Sequence, residues 1–173
     1  MYLKICCGIA LAGFFLFFSH SMLIAQKKDI TRDTTLANTY FAAAEKCYKE
    51  TKYDSSIVWY QMAGSLYRSH GVWKSYVKCL DLINVSYRMT AKYDQALAYC
   101  DSFARAASAQ WGPDDPEVGN AYSSTAVVYQ VMGEYDKSLD YHLKALKIRS
   151  EKFGDRHAAT GITYSNLGII YYY

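Results

Sequence analysis

An all-α fold, built as a solenoid of stacked helical hairpins, is what this sequence predicts. Three observations carry that expectation. The phrase KYDSSIVWYQMA at Lys52 returns as KYDQALAYCDSF at Lys92 and as EYDKSLDYHLKALKI at Glu134. Its tyrosines, Tyr53, Tyr93 and Tyr135, recur at intervals of 40 and 42 residues, and a fixed period near forty residues marks a stacked repeat. Only two prolines, Pro113 and Pro116, interrupt the 173 residues, which favours long helices over a turn-rich sheet. With 51% hydrophobic and 16% aromatic residues, the chain has ample apolar surface to bury, so disorder is excluded as a reading.

The first segment, residues 1–25, has the layout of a secretory signal peptide. Lys4 supplies the positive start, Ile5 to Phe18 is an apolar run, and Ser19, His20 and Ser21 break it before Ala25. Cleavage after Ala25 fits that layout. The apolar run alone is short for a membrane span, which needs about 20 residues, although an uncleaved signal would tether the chain to a membrane. Phe14 stands where a lipoprotein would need its acylated cysteine. The expectation is an exported protein of a bacterial periplasm or cell surface. Residues 26–36 read as a linker, and residues 37–173 as the repeat array.

Three units and a partial one follow, at 37–70, 77–110, 119–152 and 161–173. In the third, Tyr122, Thr125, Ala126, Tyr129 and Met132 keep to one face of a 3.6-residue period. Gly133 then ends that helix, where a left-handed residue is cheap. Tyr135, Leu139, Leu143 and Leu146, with Ala145, give a second helix an apolar stripe up to a stop at Gly154. One hairpin cannot bury both of its faces, so it must stack on its neighbours. Small residues let the two helices cross: Ala126 against Ser138, Ala44 against Ser56, and Asn84 against Ala96. Asn84 brings a polar amide to a tight crossing and needs a partner. The tyrosine that opens each second helix can fill a seam with its ring while its hydroxyl reaches water.

In this register the pattern resembles the tetratricopeptide repeat. The third unit carries Tyr122, Thr125-Ala126, Tyr129, Gly133-Glu134-Tyr135, Ser138 and Ala145. The second carries Leu80, Ile83-Asn84, Tyr87, Tyr93, Ala96 and Phe103, and the first Tyr40, Ala43-Ala44, Cys47, Tyr53, Ser56 and Ala63. A fourth unit starts with Tyr164, Asn166-Leu167-Gly168 and Tyr171. The longer spacing is similar to the 42-residue variant of kinesin light chains and many bacterial arrays. That variant has His-Pro in its linker. Here Asp115-Pro116 fits the pattern, while His157-Ala158 lacks the proline. The resemblance implies a right-handed superhelix whose first helices line a concave groove. It also implies a non-catalytic scaffold for a protein or peptide partner. The groove positions so implied are Phe41, Glu45 and Tyr48, with Asn38; Lys78, Asp81 and Arg88, with Val85; and Asn120, Val127 and Gln130, with Ser123. Lys78 and Arg88 offer a weak version of the clamp that some members use for a terminal carboxylate. Exported arrays of this kind also resemble the N-terminal regions of CHAT-type proteases and sensor histidine kinases, so the chain reads alternatively as the sensor part of a larger enzyme.

The residues themselves suggest no catalysis and no cofactor. The histidines, His20, His70, His142 and His157, show neither HExxH nor an i, i+4 pair, which speaks against a metal site. No glycine-rich phosphate loop is present. Asp114, Asp115 and Glu117 read as a helix cap and first-turn charge rather than a calcium loop. Past the signal, Cys47, Cys79 and Cys100 remain, an odd and widely spaced set that reads as buried thiols rather than a disulfide framework, with one pairing left open. A formal charge of +3 with interspersed signs is not the basic footprint of a nucleic-acid binder. The basic run KALKIRSEKFGDR, residues 144–156, reads as a solvated helix face. The ending YSNLGIIYYY is half a hairpin with an apolar outer side, where a solenoid needs a polar cap. It points to a truncated chain, or to self-association through that end.

Overall fold

The computed structural model describes residues 33–172, and they form seven helices and no strand. The expectation of a signal peptide, and most of the linker, lie outside the described residues. Helix α1 covers 33–49. It is followed by α2 (Tyr53–Ser69), α3 (Trp73–Met89), α4 (Tyr93–Trp111), α5 (Pro116–Val131), α6 (Tyr135–Phe153) and α7 (Ala158–Tyr172). From α2 onward each helix packs on the next in sequence. Helices α3 and α5 also touch, whereas the second helices α2, α4 and α6 make no comparable contact with one another. The first-helix side is therefore the tighter, inner side of the stack.

Four of the corners are the same turn. After α1, α2, α3 and α5, one residue takes a left-handed conformation: Thr51, Gly71, Ala91 and Gly133, with φ of 59, 70, 56 and 79°. In each, the next residue donates its N–H to the carbonyl five back: Lys52 to Cys47, Val72 to Tyr67, Lys92 to Tyr87 and Glu134 to Tyr129. The left-handed residue donates to the carbonyl three back, completing a Schellman motif. The two longer connections are also alike. Gly112 and Gly154 end α4 and α6 by donating to Ser108 and Ser150. Asp115 caps α5 by accepting from Glu117 N at 2.9 Å, with Pro116 next to it. At the matching place His157 accepts from Ala159 N through Nδ1 at 3.2 Å. The linker that lost its proline thus keeps a side-chain cap.

The core runs through the stack rather than sitting at one centre. Ala37 and Ala44 of α1, Ile57, Tyr60, Ala63 and Tyr67 of α2, and Cys79 and Ile83 of α3 form one cluster. Val77, Leu80, Phe103, Val118 and Ile148 continue it through α3 to α6. The small pairs lie at the crossings. Ala126 and Ser138 are fully buried, and Ser138 Oγ donates to Ala126 O at 2.8 Å. Ser56 Oγ meets Ser86 Oγ at 3.0 Å across two units. Asn84 has its partner: Nδ2 donates to Asp81 O at 2.8 Å and to Asp81 Oδ1 at 2.9 Å. Ala126→Leu is expected to overpack its crossing and cost about 1–3 kcal/mol, measurable as a lower urea midpoint; an unchanged midpoint would show slack at the crossing.

Two expectations are corrected on α6. Leu143 is 43% exposed and Tyr135 37%, so the leucine stripe is not the buried face. The buried positions are Ser138, His142, Ala145, Ile148 and Arg149. The closest approach of α5 is set by the small residues, and this turns the helix by one position, moving the leucines to its flank. Arg149, in the run expected to be a solvated face, is only 7% exposed.

Candidate functional site

On the inner side, α3 and α5 frame a cleft of about 470 Å³. Helix α3 contributes Lys78 and Asp81, and α5 contributes Asn120, Ser123 and Ser124. Successive turns of a helix repeat a face every three to four residues, so Lys78 and Asp81, like Asn120 and Ser123, stand one above the other. Asp81 is the organising group. Its Oδ1 accepts from Ser124 Oγ at 2.6 Å and from Asn84 Nδ2. Burial pushes its carboxyl above the usual range, while the Ser124 hydroxyl and the charge of Arg88 hold it down. Lys78 is exposed, and its Nζ lies 4.9 Å from the centre of the Phe41 ring.

Arg149 enters the same cleft from α6, a second helix. Its Nη2 donates to Asn120 Oδ1 at 2.7 Å and its Nη1 to Thr163 Oγ1 of α7. The side chain thus ties α5, α6 and α7 together, with burial lowering its pKa from the ordinary value. Ser123 Oγ, on the cleft wall, is buried and has no hydrogen-bond partner. A buried hydroxyl without a partner retains its full hydrogen-bonding capacity for whatever reaches it.

Of the positions named from the sequence, Lys78, Asp81 and Asn120 line this cleft, with Ser123. Phe41 joins through Lys78. Glu45, Tyr48, Arg88, Val127 and Gln130 are half-buried on the first helices but outside the cleft wall. Tyr48 packs edge-on against Tyr53 at 5.4 Å, and Asn38 accepts from Tyr67 OH at 2.6 Å. Sequence reasoning missed Arg149, Lys74, Glu117 and Ser124. For Arg149 the available signal is its place seven residues, two helical turns, after His142.

Two of the three described thiols, Cys79 and Cys100, are buried and poor nucleophiles. Cys47, Cys79 and Cys100 are unpaired, and burial pushes the Cys79 and Cys100 thiols up to about 12. Among the described residues no cluster of His, Cys, Asp and Glu could hold a metal ion, and no helix is long and apolar enough to cross a membrane.

Residues 117–173 match the sequence model of the tetratricopeptide repeat family. No curated protein matches the sequence. Among solved structures, apo RapI superposes with a TM-score of 0.70 at 15% identity, over 80% of this chain and 37% of RapI. A Podospora anserina protein of kinesin light chain type, with nearly identical TPR-like repeats, gives 0.63 at 10% identity, over 80% of this chain and 66% of that one. A TPR-like protein from Chlorobium tepidum gives 0.57 at 12% identity, over 82% and 98%. The chain therefore spans about a third of RapI and two thirds of the kinesin light chain type protein, and at these identities the likeness is one of fold. The same Schellman corners and small-residue crossings run from α1 to α6, ahead of and through the matched segment. Residues 117–173 thus carry the tetratricopeptide repeat pattern, and the described chain has the helical-repeat fold of TPR-like structures.

Proposed function

We propose that this chain is an exported, non-catalytic scaffold that receives a segment of a protein or peptide partner along the inner groove of α1, α3 and α5. The observation that carries this reading is the α3–α5 cleft. It mixes an exposed ammonium at Lys78, a carboxylate at Asp81, the Asn120 amide and an unpartnered hydroxyl at Ser123 over apolar Val77 and Phe103. Backbone N–H and C=O groups of an extended segment need such donors and acceptors, and its side chains need the apolar floor. The signal-like first 25 residues support placing this event outside the cytoplasm.

Selection of a displayed peptide library on the exported chain is expected to return binders. Their affinity should fall about tenfold when Lys78 and Arg88 are both changed to Ala, a loss of the size expected for one or two charged contacts. Lys78 is exposed and Arg88 half-buried, and neither belongs to the core, so circular dichroism should be unaltered. Binders indifferent to the double change would place the site elsewhere.

A further inference from the structure

A second cleft, of about 540 Å³, shares no lining residue with the first. It opens on the second-helix side, between the C-terminal halves of α2 and α4 and above the start of α3. Its floor is aromatic and small. Trp73 meets Tyr76 edge-on at 6.1 Å, with Ala106 and Ala109 beside them. Its walls carry two guanidinium groups, Arg68 from α2 and Arg105 from α4, and no acidic residue lines it.

Neither arginine is consumed by the fold. Arg68 has no carboxylate partner among the described residues; its Cζ lies 5.8 Å from the Tyr76 ring centre. The carbonyls at the end of α2, which would otherwise draw it, are already taken. Leu66 O accepts from His70 N, Tyr67 O from Val72 N, and Arg68 O from Gly71 N. Arg105 is paired only with Asp101, at 2.9 Å, and both side chains are more than 60% exposed. An exposed pair of this kind is weak, and a guanidinium has five N–H donors, so most of its edge stays open to a second carboxylate.

We propose that this cleft binds an acidic peptide segment, with carboxylates held by Arg68 and Arg105 and an apolar side chain set against Trp73 and Tyr76. A guanidinium held over an aromatic ring by cation–π attraction keeps its N–H donors free for a carboxylate, which favours bidentate recognition. Two cations over so small a cleft match a short acidic stretch; a nucleic acid needs a longer basic track. The inference is independent of the inner groove.

Isothermal titration of the exported chain with an acetylated, amidated heptapeptide of alternating Glu and Leu tests it. The blocked ends remove any terminal carboxylate. Saturable binding in the micromolar range is expected, weakening with added salt. Arg68→Gln and Arg105→Gln should each lower affinity about tenfold, while Lys78→Ala in the other cleft leaves it unchanged. The matching Gln-Leu peptide should bind at least tenfold more weakly. Absence of saturable heat, equal binding of the Gln peptide, or loss through Lys78→Ala alone would overturn the proposal. So would binding of inorganic phosphate without binding of the peptide.

Discussion

Tyr60→Ala is expected to be the most damaging single truncation in the chain, at about 3–5 kcal/mol. Tyr60 is 1% exposed and lies among Ala44, Ala63, Cys79 and Ile83. Its ring meets Phe41 edge-on at 5.4 Å, a geometry worth about 1 kcal/mol beyond the buried area. Removing it opens a cavity where α1, α2 and α3 meet, and the alanines around it have no side chain to move in. For a chain of this size the melting temperature should drop by about 10–15 °C, readable by circular dichroism. Tyr53→Ala provides the contrast. Tyr53 defines the register in the sequence but is only half-buried, so its loss should cost clearly less. Equal effects from the two would mean that burial depth does not decide stability here.

Acidification supplies the second large effect, through His142. The imidazole is fully buried, and neither ring nitrogen has a hydrogen-bond partner. Burial, and then the nearby charge of Arg149, lower its pKa to about 4 from 6.5. The direction follows from proton counting. Above pH 6.5 the ring is neutral in both states and pH has no influence. Between pH 6.5 and about 4 the unfolded chain binds the proton and the folded chain does not, so stability falls as pH falls. Through His142 alone the loss reaches roughly 3 kcal/mol, at 1.36 kcal/mol per pKa unit. Asp81 acts the other way in part of the same window, because burial raises its carboxyl and the folded chain takes up that proton first. Urea titrations of the wild type and of His142→Leu at pH 7, 5.5 and 4 separate the two. The variant should be more stable at pH 7, because an imidazole with no partner costs about 1–3 kcal/mol. Its advantage should grow toward pH 4. A constant difference across pH would mean that His142 finds a partner when protonated.

The elements a stacked repeat needs for its backbone were legible in the residues. Gly133, the Asp115-Pro116 cap and the Ala126–Ser138 crossing follow from local chemistry that does not depend on distant contacts. What escaped was the polar content of the buried face. A periodicity argument assigns leucine inward and histidine or arginine outward, so it favours Leu139 and Leu143 over His142 and Arg149. Helix separation reverses that choice, because small Ser138 must sit at the crossing and carries the residues in line with it inward. Arg149 then becomes tolerable only through Asn120, on the first helix of its own unit, and Thr163, in the next, which lie 29 and 14 residues away. Thr51 and Ala91 escaped for a related reason. Neither residue favours a left-handed backbone, and it is the packing of the helices on either side that fixes the corner. The groove was legible as a set of positions on first helices; which of them share one cleft depended on the offset between α3 and α5.

Because each helix leans mainly on the one before and the one after, ordering this chain requires few distant encounters. Loop closure between consecutive helices spans only a few residues, so little entropy is lost before contacts form. Such a molecule assembles quickly and can open from its ends while its middle stays intact. A partner that grips several units at once would therefore stiffen it along its length, joining by an outside contact helices that the polypeptide leaves only loosely coupled.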